Sequence, residues 1–131
     1  MSDAIGAKVL EAYLDRDLLM VLENAAVVEN LVPNQDKLKN LNGLIQAVTA
    51  ADKTFDCVSR IFAPKLKIPE DPVTGSTQCL IAPYWSEMLG QKKISARQAS
   101  ARGGILHCEV LENRVKLSGN AALFAVSELF I

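Results

Sequence analysis

Apolar and polar positions change period several times along this chain, and the changes mark its elements. Leu18-Leu19-Met20-Val21-Leu22 is an unbroken apolar run bracketed by Asp17 and Glu23. A run that short and uniform predicts a strand over Asp17–Glu23, buried on both faces. Glu11–Leu14 reads as another strand, and Ser2–Ala7 as a helix tail closed near Gly6. Asn24–Leu31 predicts a short helix with Asn24 as its N-cap, broken by Pro33-Asn34. Gln35–Leu41 predicts a further helical turn. Gly43–Ala50, Asp56–Ala63 and Ile94–Ala99 return to strand character. Ile105–Leu111 alternates strictly, with Leu106, Cys108 and Val110 on one face and Ile105, His107 and Glu109 on the other. Glu112-Asn113 predicts a tight turn into Arg114–Ser118, and Ala121–Val126 predicts a last strand.

Ser76–Leu89 has a different period. Its polar residues Thr77, Gln78, Ser86 and Glu87 point to four different sides at about 100° per residue, leaving no solvated face. A helix of that kind belongs inside a structure. Pro83 should kink it or weaken one turn, and Gly90 is a natural stop. The preceding stretch, Lys65–Thr74 with Pro64, Pro69, Pro72 and Gly75 around it, reads as a loop. Strands, one buried helix, then strands again predict an α+β class. The expected architecture is a curved antiparallel or mixed sheet, or a barrel, wrapped around one buried central helix.

The chain has 131 residues, 50% of them hydrophobic, and a net charge of −1. That suits one domain over residues 1–131 and supplies no basic tract to neutralise nucleic-acid phosphates. No apolar run reaches membrane-spanning length, and no basic-then-apolar leader opens the chain. Cys57, Cys79 and Cys108 are odd in number and scattered. They fit reduced thiols, hence a cytoplasmic setting, better than a disulfide framework. With one histidine, His107, they form no metal-ligand pattern. Cys79 and His107 read as structural, the cysteine buried and the histidine half-exposed; Tyr84 and Trp85 read as core.

Two short stretches carry candidate chemistry. Glu70-Asp71-Pro72-Val73-Thr74-Gly75-Ser76 runs from a loop into the helix. Free backbone N–H groups and the positive end of the helix dipole suit an anion there. Gly75 permits close approach, Thr74 and Ser76 add hydroxyls, and Asp71 could move a proton on a bound carboxylic acid. On spacing alone, Ser76 as an N-cap and Asp71 as a turn former is the favoured explanation of the stretch. Gln98-Ala99-Ser100-Ala101-Arg102-Gly103-Gly104 is the second: Arg102 beside Gly103 suits a carboxylate at a turn, or is a solvated arginine.

Together with Ser59-Arg60-Ile61-Phe62-Ala63-Pro64, Pro83-Tyr84-Trp85, Leu89-Gly90 and Gly119-Asn120-Ala121, these stretches resemble the C-terminal half of phenazine-biosynthesis-F-like (PhzF-like) proteins. The likeness runs from about Asp17 to the end and is densest from Cys57 to Gly104. It implies a fold similar to one half of diaminopimelate epimerase, and cofactor-independent, metal-independent isomerisation of a small carboxylic acid. In that family the matching aspartate and serine line the substrate site, which implies catalytic roles for Asp71 and Ser76. Thr74, Gly75, Arg102 and Gly103 would bind substrate. Many relatives have histidine where Gln78 stands, and Gln cannot titrate. The family's N-terminal half, with its acidic general acid/base, has no counterpart in this sequence. The expectation is an enzyme half that is incomplete alone and completed by a separate N-terminal half or a second copy. The other expectation is a non-catalytic binding or homodimerisation module.

Overall fold

A computed structural model of the chain describes residues 1–130. Eight strands form one mixed sheet: β1 (Glu11–Leu14), β2 (Leu18–Val21), β3 (Gln46–Ala51), β4 (Cys57–Ala63), β5 (Ile68–Asp71), β6 (Lys93–Gln98), β7 (Gly104–Val110) and β8 (Val115–Ser118). The order is β1-β2-β3-β4-β6-β7-β8, with β5 paired to the far end of β4. Most neighbours are antiparallel. The pairs β2–β3 and β4–β6 are parallel because helices lie between them in sequence. Among the described residues, four α-helices complete the fold: α1 (Ser2–Ile5), α2 (Ala25–Glu29), α3 (Gln35–Lys39) and α4 (Gln78–Leu89).

The alternation of strand side chains sorts the core into two layers. Leu19, Ala47, Cys57, Ile61, Ile94, Ala96, Leu106 and Cys108 face α4 and pack on Ile81, Ala82 and Trp85. Their neighbours in sequence, Leu18, Met20, Val48, Val58 and Phe62, face the other way, onto Ile5, Val28 and Leu38 of the short helices. β2 is therefore buried on both faces, as its unbroken apolar run predicts. Asn24 caps α2, its side chain accepting from Val27 N at 3.0 Å. Gly6 closes α1 at φ 78°. Turns hold the hairpin between β7 and β8, where Leu111 N donates to Arg114 O.

Three expectations change. The sheet is open: β1 and β8 are its free edges, and β1 is exposed along its length. It therefore does not close around α4, which lies on one face over β6, β7 and β8. Gln78, Ile81, Ala82 and Trp85 are buried, whereas Cys79, Met88 and Leu89 are exposed. The helix lacks a polar face because its outer side is also apolar, not because the chain covers it. Lys65–Thr74 is not all loop: a 3-10 turn over Pro64–Leu66 leads into β5. Pro69 is tolerated there because β5 is a short strand on the edge of β4, with an irregular register. Finally, Ala121–Val126 forms no strand; residues 119–130 carry no regular structure and are exposed.

Candidate functional site

The approach to the site is fixed by Arg60 on β4. Its Nε and Nη2 donate to the two carboxylate oxygens of Glu70, each at 2.8 Å. Its Nη1 donates to Leu31 O at 2.9 Å and Glu29 O at 3.2 Å, where α2 ends. This fork leaves Arg60 only 13% and Glu70 25% exposed. A partly buried bidentate pair with all three guanidinium nitrogens hydrogen-bonded orders the strand end far better than a surface ion pair. β5 thus delivers Asp71 to a defined place.

From Asp71 onward the two candidate loops become one structure. Thr74 Oγ1 donates to Asp71 Oδ2 at 2.6 Å. Gln98, fully buried at the end of β6, reaches across. Its Oε1 accepts from Thr74 N at 2.8 Å, and its Nε2 donates to Asp71 O at 2.6 Å. Ser100 Oγ donates to Pro72 O at 2.7 Å and accepts from Gly103 N at 3.0 Å. Gly103 sits at φ +70°, where a glycine is at ease. A Cβ on Gly104 would stand 2.4 Å from Val73 Cγ2, so only glycine lets the loops meet this closely. Val73, Gln98, Arg102 and Gly103 line an open groove of about 780 Å³, with Arg102 exposed on its rim.

Ser76 does not line this groove. It does not cap the helix: α4 begins at Gln78, and its N-cap residue Thr77 makes no side-chain cap bond. Ser76 Oγ instead accepts from Arg16 Nη2 at 2.9 Å. Arg16 also donates to both carboxylate oxygens of Asp17, which is buried and accepts from Thr77 Oγ1 at 3.2 Å. The hydrogen bond and charge of Asp17 hold the Arg16 guanidinium even more firmly protonated than usual. A cation thus stands beside Ser76 at the start of α4, where the helix dipole is also positive.

The cysteines divide differently from expectation. Cys79 is exposed, not buried, because it lies on the uncovered side of α4. Cys57 and Cys108 are buried; burial pushes the Cys57 thiol far up and the Cys108 thiol to about 11, so both stay protonated. His107 is exposed on β7 rather than half-exposed. Gln78 lies fully buried with its Oε1 3.8 Å from Cys108 Sγ, while its Nε2 has no partner among the described residues. Trp85 Nε1 donates to Thr49 Oγ1 at 2.9 Å, placing the tryptophan in the core. No helix among the described residues is long and apolar enough to cross a membrane.

Residues 6–127 match the family described as PhzC-PhzF, phenazine biosynthesis-like protein. The chain belongs to the PhzC-PhzF family. An "uncharacterized isomerase" of Pseudomonas aeruginosa is 40% identical to it over 129 residues, covering 98% of this chain and 50% of that protein. A crystal structure of a phenazine biosynthesis protein of the PhzF family from Enterococcus faecalis superposes with a TM-score of 0.91. It is 49% identical, over 95% of this chain and 48% of that one. A putative phenazine biosynthesis PhzC/PhzF protein from Clostridium difficile gives a TM-score of 0.88 at 44% identity, over 99% and 51%. The chain spans about half the length of the relatives it matches.

Among the residues expected from the sequence, Asp71 and Thr74 are bonded to one another, and Arg102 and Gly103 share a groove with Val73 of the same loop. Ser76 is turned toward a cation that the sequence did not single out. Arg16, Asp17 and Gln98 were all missed as site residues. Arg16 and Asp17 lie sixty positions from Ser76 and Thr77, respectively, and no local motif links them. Gln98 heads the second stretch, but its service to Thr74 and Asp71 appears only when β6 pairs beside β4.

Proposed function

We propose that this chain is one half of a cofactor-independent isomerase or epimerase that moves a proton on a small carboxylic acid. The observation that carries the reading is the bonding of Asp71, Thr74 and Gln98 into one unit, in a chain of the PhzC-PhzF family. With Thr74 donating to Oδ2, the other oxygen of Asp71 remains to take a proton from a carbon acid and return it. Ser76, with the amides of Gly75 and Ser76 at the head of α4, would hold the carboxylate. Arg102 and Gly103 would contact substrate from the groove side. The isomerase names borne by relatives such as the Pseudomonas aeruginosa protein favour this class. The opposing acid/base would come from a second half, placed against the open side of the sheet and the uncovered face of α4.

Benzoate, a simple carboxylate probe, tests the binding arm. In amide NMR spectra of the labelled chain, it should shift Gly75 and Ser76 first, and Ser76→Ala should weaken that response. Shifts confined to other surfaces would refute the assignment.

A second reading, a homodimerisation module, draws on the exposed Tyr13, Leu14, Met88 and Leu89 at the open side. Solution mass by light scattering over a range of concentrations separates the two. A strictly monomeric chain at high concentration counts against homodimerisation.

A further inference from the structure

Two neighbours at the head of α4, Ser76 and Thr77, meet two neighbours on the turn between β1 and β2, Arg16 and Asp17, and the four close a ring. Thr77 Oγ1 donates to Asp17 Oδ2 at 3.2 Å. Asp17 accepts from Nε and Nη2 of Arg16, and Nη2 also donates to Ser76 Oγ at 2.9 Å. Asp17 is 1% exposed, a buried carboxylate that depends on these partners. The turn that carries the pair is pinned by its backbone. Leu44 N donates to Arg16 O and Leu18 N to Ile45 O, each at 2.8 Å. Gly43, at φ +82°, packs so closely there that a Cβ would stand 2.7 Å from Leu18 N. The Arg16 side chain is nonetheless 55% exposed, so the outer side of the ring is open to a ligand.

A serine hydroxyl has one hydrogen to give and lone pairs to receive. Arg16 donates into a lone pair of Ser76, whose own hydrogen has no acceptor among the described residues. That hydrogen is left to donate outward. A second donor approaching Oγ would meet the charge of the guanidinium, and an ammonium would meet it most strongly. We propose that Arg16, held by Asp17, is a positioning residue that sets Ser76 to donate to an anionic oxygen of the substrate and to reject an ammonium group. The inference rests on the reading above that Ser76 holds the substrate carboxylate. It adds an orientation: a substrate carrying both a carboxylate and an amine enters with the carboxylate at the head of α4.

The test titrates the labelled chain with benzoate and with benzylamine, similar in size and opposite in charge, and follows the Gly75 and Ser76 amides by NMR. Benzoate should shift both and benzylamine neither, a comparison that needs no variant. Arg16→Lys keeps a cation beside the buried Asp17, and with it the fold, but an ammonium lacks the fork that serves Asp17 and Ser76 together. It should weaken benzoate binding about three- to tenfold. Arg16→Lys combined with Ser76→Ala should bind benzoate no more weakly than Ser76→Ala alone. Unchanged benzoate binding in Arg16→Lys, or benzylamine bound at these amides as tightly as benzoate, overturns the positioning role and leaves the carboxylate reading of Ser76 standing. A double variant weaker than Ser76→Ala means that the cation holds the anion itself, which also overturns it. Benzoate that shifts neither amide in the unaltered chain overturns both.

Discussion

Replacing Gln98 by Leu tests how the site is built. The two side chains are close in volume, so no large cavity opens, and the change isolates hydrogen bonding. Gln98 is fully buried, as is most of Thr74. Leucine leaves the Thr74 N–H, 2.8 Å from the lost Oε1, and the Asp71 carbonyl, 2.6 Å from the lost Nε2, without those partners. An orphaned buried donor or acceptor costs about 1–3 kcal/mol. Asp71 is only half-buried and its carbonyl regains some solvation. The sum should therefore be about 2–3 kcal/mol rather than twice the upper limit. Urea denaturation followed by tryptophan fluorescence gives the global loss, with an unchanged m-value. Hydrogen exchange gives the local one: Thr74 NH should lose protection while amides of β3 follow only the global change. A Q98L chain within 0.5 kcal/mol of wild type, with Thr74 still protected, would refute the view that Gln98 ties the loops together.

Other outcomes follow from the same contacts. Gly104→Ala should destabilise by about 1–3 kcal/mol, since the stiff Val73 side chain has atoms 2.4, 3.3 and 3.5 Å from the new Cβ; adding Val73→Ala should restore most of the loss. Thr49→Val removes the acceptor of Trp85 Nε1 and the donor to Val58 O. It should cost about 1–3 kcal/mol and shift the emission of the chain's only tryptophan. Asp56 accepts from Ser95 N and Oγ, each at 2.7 Å, and from Gln91 Nε2 at 2.9 Å. The Ser95 amide chiefly holds its carboxyl below the usual range; partial burial opposes this and is outweighed. A depressed folded value means that its stabilisation is present above the unfolded pKa of about 3.9 and fades as pH falls through the folded value. The stability gap between wild type and Asp56→Asn should be constant above about pH 5 and shrink below pH 4; a gap that widens on acidification contradicts this.

Local patterns were legible where local physics decides. The apolar run of β2, the alternation of β7, the Asn24 cap and the Gly6 stop all read directly from neighbouring residues. Non-local geometry was not. β5 hid behind Pro64, Pro69 and Pro72, because a proline-bearing edge strand looks like a loop until β4 is placed beside it. The all-round apolarity of α4 predicts burial on every side, whereas the open sheet covers only the side carrying Ile81, Ala82 and Trp85 and leaves Cys79, Met88 and Leu89 exposed. Ala121–Val126 has the composition of a strand but pairs with no strand among the described residues. At the site, the D-P-V-T-G-S stretch was evident. The roles of Arg16, Asp17 and Gln98 depend on strand order and on contacts across 24 to 60 residues of sequence.

The central claim is that Asp71 moves a proton once the second half is present. Its most direct test is deuterium wash-in from D2O into a panel of small carboxylic acids, catalysed by the two-half complex. The account predicts exchange at a carbon-bound hydrogen that falls at least 100-fold in Asp71→Ala, while the complex assembles normally. Exchange that survives Asp71→Ala undiminished would contradict it.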